Sequence, residues 1–318
     1  MSQTDPLQVS TLWRHMNSVN LSRRSFVGAA LAACLPATAR SPQRVGVQLY
    51  TVRDIVLSRP GETLGAIAAM GYREVEVLRD QLEVVAPHLK ATGLRAVALH
   101  FETPLITGNW GAWTRAEMPP IVPAGVRFEQ VIELAHKHGV EYLVFNYLTP
   151  EERVGDADFY RGLAEKLNTA AVKCRNAGMR FAYHNHDFEF EPRGSERTID
   201  VLLKHLDPGL VRLEIDTFWV SMAGVDAVTF LKANAGRVDL VHVKDRAPGT
   251  PRHYDIATVP KTAYLELGNG DLPLPQILDA AVSAGARHFF VEQDYSNDPL
   301  ASLRQSYAYL RRIGFVAS

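Results

Sequence analysis

From Arg44 onward, short apolar runs alternate with longer amphipathic ones to the end of the chain. The short runs predict eight strands, at Val45–Leu49, Arg73–Val77, Arg95–His100, Glu141–Asn146, Arg180–Asn185, Leu210–Asp216, Val238–Lys244 and Arg287–Glu292. Their near-continuous apolar centres suit strands buried on both faces, as in a parallel sheet. Between them, helical periodicity predicts helices over Gly61–Met70, Gln81–Thr92, Phe128–His138, Asp156–Ala177, Thr198–His205, Val225–Asn234, Pro275–Ala284 and Leu300–Arg312. Gly71, Gly93, Gly139, Gly178 and Gly285 each follow a helical run, where a left-handed residue ends a helix. A long loop rich in Gly, Trp and Pro occupies 102–125 and is positioned to act as a lid, with Trp110 and Trp113 available to stack on a ligand. Eight strand–helix units in about 275 residues have the size and order of a single (β/α)8 TIM barrel over 44–318. A doubly wound sheet is the alternative, but no Gly-x-Gly-x-x-Gly follows the first strand, which counts against a dinucleotide-binding version.

The first forty residues follow a different pattern. Ser22-Arg23-Arg24-Ser25-Phe26-Val27 resembles a twin-arginine export signature. An apolar stretch to Leu35 follows, too short to span a bilayer, and Ala37-Thr38-Ala39 is a small-x-small cleavage signal. Residues 1–39 therefore read as a twin-arginine signal peptide, and the expected location is periplasmic or secreted. Leu31-Ala32-Ala33-Cys34 also matches a lipoprotein box, which would anchor the chain by lipid at Cys34 instead.

Composition narrows the class. The 318 residues are 47% hydrophobic and 22% charged, with a formal net charge of -1, so no basic excess suggests a nucleic-acid or membrane-surface partner. The two cysteines are Cys34 and Cys174, which leaves no disulfide framework once the leader is removed.

The strand ends carry the chemistry. Four successive predicted strands finish as His184-Asn185-His186, Glu214-Ile215-Asp216, His242-Val243-Lys244 and Glu292-Gln293-Asp294. Ionisable groups are costly at the end of a buried strand unless paired or bound to a metal. Residues two apart share a face. The mouth thus gathers these residues with Gln48, Tyr50, Glu74, Glu76, His100 and Asn146 from the earlier strands. An oxygen and nitrogen donor set without thiolates suits Mn, Co, Zn, Fe or Mg. Such a cation acts as a Lewis acid on a carbonyl or diol, and a neighbouring carboxylate can take the adjacent proton. The remaining histidines, among them His88, His136, His138, His205 and His288, read as solvated or capping residues.

Val47-Gln48-Leu49-Tyr50-Thr51-Val52-Arg53-Asp54, Tyr183-His184-Asn185-His186-Asp187-Phe188-Glu189-Phe190, Asp216-Thr217-Phe218-Trp219, Val241-His242-Val243-Lys244-Asp245 and Val291-Glu292-Gln293-Asp294 together resemble the xylose isomerase-like TIM-barrel superfamily, in its sugar phosphate isomerase/epimerase group. The resemblance covers about residues 44–314. It implies a metal held from the fifth to eighth strands, with Asp216, His242 and Glu292 matching the last three ligands. The first is usually a glutamate where this chain has His184, so either His184 is the ligand or Glu189 folds back to take its place. Trp219 stands where relatives carry a substrate-contacting histidine; it can stack on a sugar but cannot shuttle a proton.

The leading expectation is a metal-dependent isomerase or epimerase of an unphosphorylated carbohydrate. Glu292 would move the proton and Lys244 would stabilise developing negative charge, with His186 and Glu189 as further catalytic groups. Gln48, Glu76, His100 and Trp219 would contact substrate. The alternative is a lyase or dehydratase acting on a keto-sugar, keto-glycoside or cyclitol. A non-catalytic sugar-binding barrel is a third reading. A related multi-zinc abasic-site endonuclease would need a basic DNA face that the charge does not supply.

Overall fold

The computed structural model describes residues 43–118, 125–194 and 196–317. The proposed leader 1–39, with its cleavage site and Cys34, lies outside the described residues.

Eight strands form a closed parallel barrel: β1 (Val45–Gln48), β2 (Glu74–Leu78), β3 (Arg95–His100), β4 (Tyr142–Phe145), β5 (Arg180–His184), β6 (Val211–Asp216), β7 (Val238–Val243) and β8 (His288–Val291). Each strand pairs with its sequence neighbours, and β1 closes the ring against β8 in register Val45 to Phe289 and Val47 to Val291. Helices follow the strands and bury their apolar stripes on the outside of the sheet. Gly71, Gly93 and Gly285 end three of these helices at positive φ, as their sequence positions predict.

The barrel interior is layered. Ala98, Tyr142, Val144, Ala182, Leu240 and Phe290 form a small apolar plug. Phe290 can cross the barrel because Gly46 faces it: a Cβ on Gly46 would stand 2.6 Å from the Phe290 ring. Near the strand starts, polar groups are paired. Glu74 accepts from His288 Nδ1 at 2.8 Å and from Arg95 at 2.9 Å. Asp239 accepts from Tyr142 Oη at 3.0 Å, Arg212 at 2.7 Å and Arg180 at 3.1 Å. His288 is thus a buried barrel residue rather than a solvated one, and Glu74 belongs to the base rather than the mouth. Alternation tells which face a residue shares but not how deep it lies.

Two further differences bear on the mouth. The loop after β3 contains short helices at Pro104–Thr107 and Trp110–Arg115, the second capped by Asn109, whose side chain accepts from Ala112 N–H. A helix at Thr217–Met222 follows β6 with no intervening loop. It can start there because Asp216 Oδ1 accepts from Phe218 N–H at 2.9 Å and Trp219 N–H at 3.1 Å, an N-cap made by the last strand residue. That leaves Asp216 Oδ2 facing the barrel mouth.

Candidate metal centre and active site

The ends of β3 and of β5 to β8 converge on two groups of side chains that share His242. In the upper group, donor atoms of Asp216, His242 and Glu292 all lie within 4.8 Å of one another, and all three residues are buried. His242 Nδ1 stands 2.8 Å from Glu292 Oε2 and 3.7 Å from Asp216 Oδ2. The Lys244 ammonium sits among the same carboxylates, 3.0 Å from Asp216 Oδ2 and 2.7 Å from both Glu292 Oε2 and Asp294 Oδ2. Burial works against its charge, but Asp216, Asp294 and Glu292 hold its pKa well above the usual lysine value. Burial likewise opposes the Glu292 carboxylate, and Lys244 and His242 hold it well below its usual range.

The lower group contains His100, His184, Glu214 and His242, again with donor atoms within 4.8 Å of one another. His100 Nε2 stands 2.9 Å and His184 Nδ1 3.0 Å from the same oxygen, Glu214 Oε2. Burial alone would depress the His100 imidazole, but Glu76 and Glu214 hold it up at about 9. His184, dominated by burial, is pushed down to about 3. Glu76 receives Gln48 Nε2–H at 2.8 Å and His242 Nε2 at 2.5 Å. A carboxylate behind a ligand histidine fixes its ring and frees the other nitrogen for an ion.

A cavity of about 420 Å³ opens over these groups, within the size range of small-molecule sites. His100, His184, His186, His242, Lys244, Trp219, Glu292 and Asp294 border it on the strand-end side. Tyr50, Phe101, Trp113, Tyr147 and Tyr264 supply aromatic walls. Arg79 also borders it, but its Nε donates to both oxygens of Glu102, at 2.9 and 2.8 Å. Trp219 is buried, and its Nε1–H has no hydrogen-bond partner. His186 Nδ1 is likewise buried without a partner.

Measured against the sequence expectations, Asp216, His242, Glu292 and Lys244 meet in one group. His184 is adjacent, its ring centre 4.7 Å from that of His242, yet its Nδ1 belongs to the lower group. His100, His186 and Trp219 border the cavity as expected of substrate or proton-handling residues. Three expectations are corrected. Gln48 and Glu76 are fully buried beneath the cavity and do not border it, so they organise imidazoles rather than meet substrate. Glu189 does fold back, but outside the barrel. Its Oε1 accepts from Tyr183 Oη at 2.8 Å and its Oε2 from His186 N–H at 2.9 Å, and it stands in neither group of convergent donors nor in the cavity lining. Both oxygens brace the loop that presents His186.

Glu214 carries more of the site than the sequence suggested. Its signal was the two-residue offset from Asp216, which puts both on the inward face. Tyr147 and Tyr264 had no sequence signal; Tyr264 arrives from the loop after β7, where it pairs antiparallel with Arg246. Asp245 accepts backbone N–H bonds from Gly268, Gly270 and Leu272, which ties down the following stretch of that loop.

Comparison with known proteins places this geometry. A family model described as xylose isomerase-like TIM barrel matches residues 64–313. An inosose dehydratase of Geobacillus kaustophilus is 36% identical over 100 residues, covering 30% of this chain and 32% of the relative. An inosose dehydratase of Clostridium perfringens is 30% identical over 144 residues, 42% of this chain and 48% of the relative, so the chain spans about a third to a half of the length of these relatives. A sugar phosphate isomerase/epimerase from Parabacteroides distasonis superposes with a TM-score of 0.67 at 21% identity, covering 88% of this chain and 98% of that one. With the barrel closed and the family match running from the first helix to the last, the chain belongs to the xylose isomerase-like TIM barrel family.

Proposed function

We propose that the protein is a metal-dependent enzyme that moves a proton next to a carbonyl of an unphosphorylated carbohydrate or cyclitol. The observation that carries this reading is the upper group itself: Asp216, His242 and Glu292 offer three buried oxygen and nitrogen donors within 4.8 Å of one another, and His242 and Glu292 border the cavity. That set fits Mn, Co, Zn or Mg. A bound cation there would supply Lewis acidity to substrate oxygens.

The chain's own groups divide the remaining work. Lys244 bears a fixed positive charge at the cavity floor, where an enolate oxygen would develop negative charge. His186 borders the cavity, its Nδ1 is buried without a partner, and burial keeps the imidazole neutral, so it is the chain's candidate to accept the proton released as the C–H bond breaks. Glu292, held by both His242 and Lys244, serves as a donor to the cation rather than as the mobile base expected from the sequence. Trp219 borders the cavity and offers its ring to a polyol. The Arg79 guanidinium and the Lys244 ammonium, which border the cavity, are each held by carboxylates.

Two outcomes follow from the enolate. Returning the proton to the neighbouring carbon gives an isomer, and returning it to the opposite face of the same carbon gives an epimer. Expelling a β-hydroxyl as water gives a dehydratase, an outcome supported by the inosose dehydratases among the relatives and by Trp219 in place of a second proton carrier. We favour the dehydratase reading. Incubation with an inosose and with unphosphorylated keto-sugars in deuterium oxide separates the two by product mass. Loss of one water supports the dehydratase, and an isomer of unchanged formula carrying solvent deuterium supports the isomerase. Asp216→Ala and His242→Ala should each lose the upper metal while remaining folded. Unchanged metal content in both would refute the assignment.

A further inference from the structure

The lower group has features that hydrogen bonding leaves unexplained. His100 Nε2, His184 Nδ1 and His242 Nε2 crowd Glu214 Oε2 at 2.9, 3.0 and 3.5 Å. The other oxygen, Glu214 Oε1, is fully buried and has no partner. A hydrogen-bonded carboxylate in a dry interior normally spreads its donors over both oxygens, because an unmet oxygen there costs about 1–3 kcal/mol. Ligand atoms around a tetrahedral zinc, at bond lengths of about 2.0–2.2 Å, sit about 3.3–3.6 Å from one another. The His100 and His184 spacings to Glu214 are a few tenths of an ångström shorter, so a small outward movement admits an ion.

Charge leads to the same place. Glu76, Glu214, Asp216, Glu292 and Asp294 gather around the strand ends, and Lys244 is the one ammonium among them. With the imidazoles neutral, as metal ligation requires, five carboxylates against one ammonium leave four negative charges in a largely buried volume. Buried charge of that size requires partners. One divalent cation in the upper group leaves half of it unmet; two divalent cations balance it.

We propose that the barrel holds a second divalent cation in the lower group, bound by His100 Nε2, His184 Nδ1 and Glu214, with its open position toward the cavity. A set of two imidazoles and a carboxylate selects zinc or cobalt over magnesium. His242 then keeps Nδ1 for the upper cation and donates from Nε2 to Glu76. His184 and His100 both border the cavity, so the lower cation would meet substrate or a water there. The departure of His184 from the family's usual glutamate becomes intelligible: the imidazole serves a second ion instead of the first. The proposal depends on the upper-site reading only through the placement of His242.

The test is metal stoichiometry, read by native mass spectrometry and elemental analysis on the apo-protein reloaded with zinc alone. Two equivalents are expected in the wild type, and one in each of Glu214→Gln, His100→Ala and Asp216→Ala. A wild type that holds one equivalent, lost in Asp216→Ala and kept in Glu214→Gln, overturns the lower site and leaves the upper one standing. One equivalent lost in Glu214→Gln and kept in Asp216→Ala leaves a single ion in the lower group and overturns both the upper site and the second cation. A wild type that holds none overturns both. If Glu214→Gln fails to fold, the wild-type count still decides, since fewer than two equivalents defeats the second cation. Two equivalents retained in a folded Glu214→Gln would place the second ion elsewhere and also defeat it.

Discussion

The Lys244 ammonium lies 2.7 Å from Glu292 Oε2 and also contacts Asp216, so the cation of this strand end touches two of the three residues of the upper group. It neutralises part of their charge while leaving His242 Nδ1 and the carboxylate oxygens gathered at one point. Lys244→Met removes the positive charge without removing any proposed ligand. Catalysis should fall by about 10²–10³, the scale of losing one preorganised charge-stabilising group. Metal content should hold or rise, since one competitor for the carboxylates is gone. Parallel measurement of kcat and bound metal checks this; loss of metal in the variant would show that Lys244 builds the site rather than acts in it.

The barrel was legible because its strands are buried on both faces, and eight apolar runs separated by helical periods have few other solutions. Asp216, His242 and Glu292 were legible because each ends such a run. What the sequence concealed was depth and direction. Alternation places Gln48 and Glu76 on the inner face, yet they lie a layer beneath the cavity, where they hold His242 and His100. Glu189 is three residues past His186, a spacing compatible with either side of the strand end. The Tyr183 hydroxyl, on the outer face, captures it. Tyr264 reaches the mouth through tertiary packing alone, which no local pattern encodes.

The Glu189 bracket makes a prediction separate from metal binding. Glu189→Ala leaves the buried Tyr183 hydroxyl and the His186 amide without their acceptor, at a cost of about 1–3 kcal/mol for each group. Urea unfolding should show that loss of stability. Elemental analysis of the folded variant should show wild-type metal. A variant of normal stability that has lost its metal would restore Glu189 to the ligand set.

Acid sensitivity should trace in part to the base of the barrel. Burial alone would raise the Asp239 pKa, but Arg212, with Tyr142 and Arg180, holds it below the usual aspartate value. A carboxyl whose folded pKa is depressed contributes stability above its unfolded pKa of about 3.9 and loses it as pH falls through the folded value. Wild-type stability should therefore decline in this range below about pH 4. Asp239→Asn should be less stable at neutral pH and should show a shallower decline on acidification. Urea midpoints taken from pH 7 to pH 3 give both slopes; parallel curves for the two proteins would remove Asp239 from the acid response.

The apolar plug beneath the site rests on the fit between Gly46 and Phe290. A methyl at Gly46 would meet the Phe290 ring at 2.6 Å and the Glu74 carbonyl oxygen at 2.8 Å, closer than real side chains approach. Gly46→Ala should destabilise the fold by about 1–3 kcal/mol, the usual range for overpacking a core. Part of the clash is with a side chain, so shortening that side chain should relieve it. Phe290→Leu alone should also destabilise, by leaving the barrel centre underfilled. The double variant should then be more stable than the two single losses added together, because each change makes room for the other. Strict additivity in a double-mutant cycle, measured by urea unfolding, would mean that the Glu74 backbone contact dominates. Because Glu76, Glu214 and His242 stand immediately above this plug, the Gly46→Ala loss should be accompanied by weakened metal retention, measurable as the chelator concentration that strips half the bound ion.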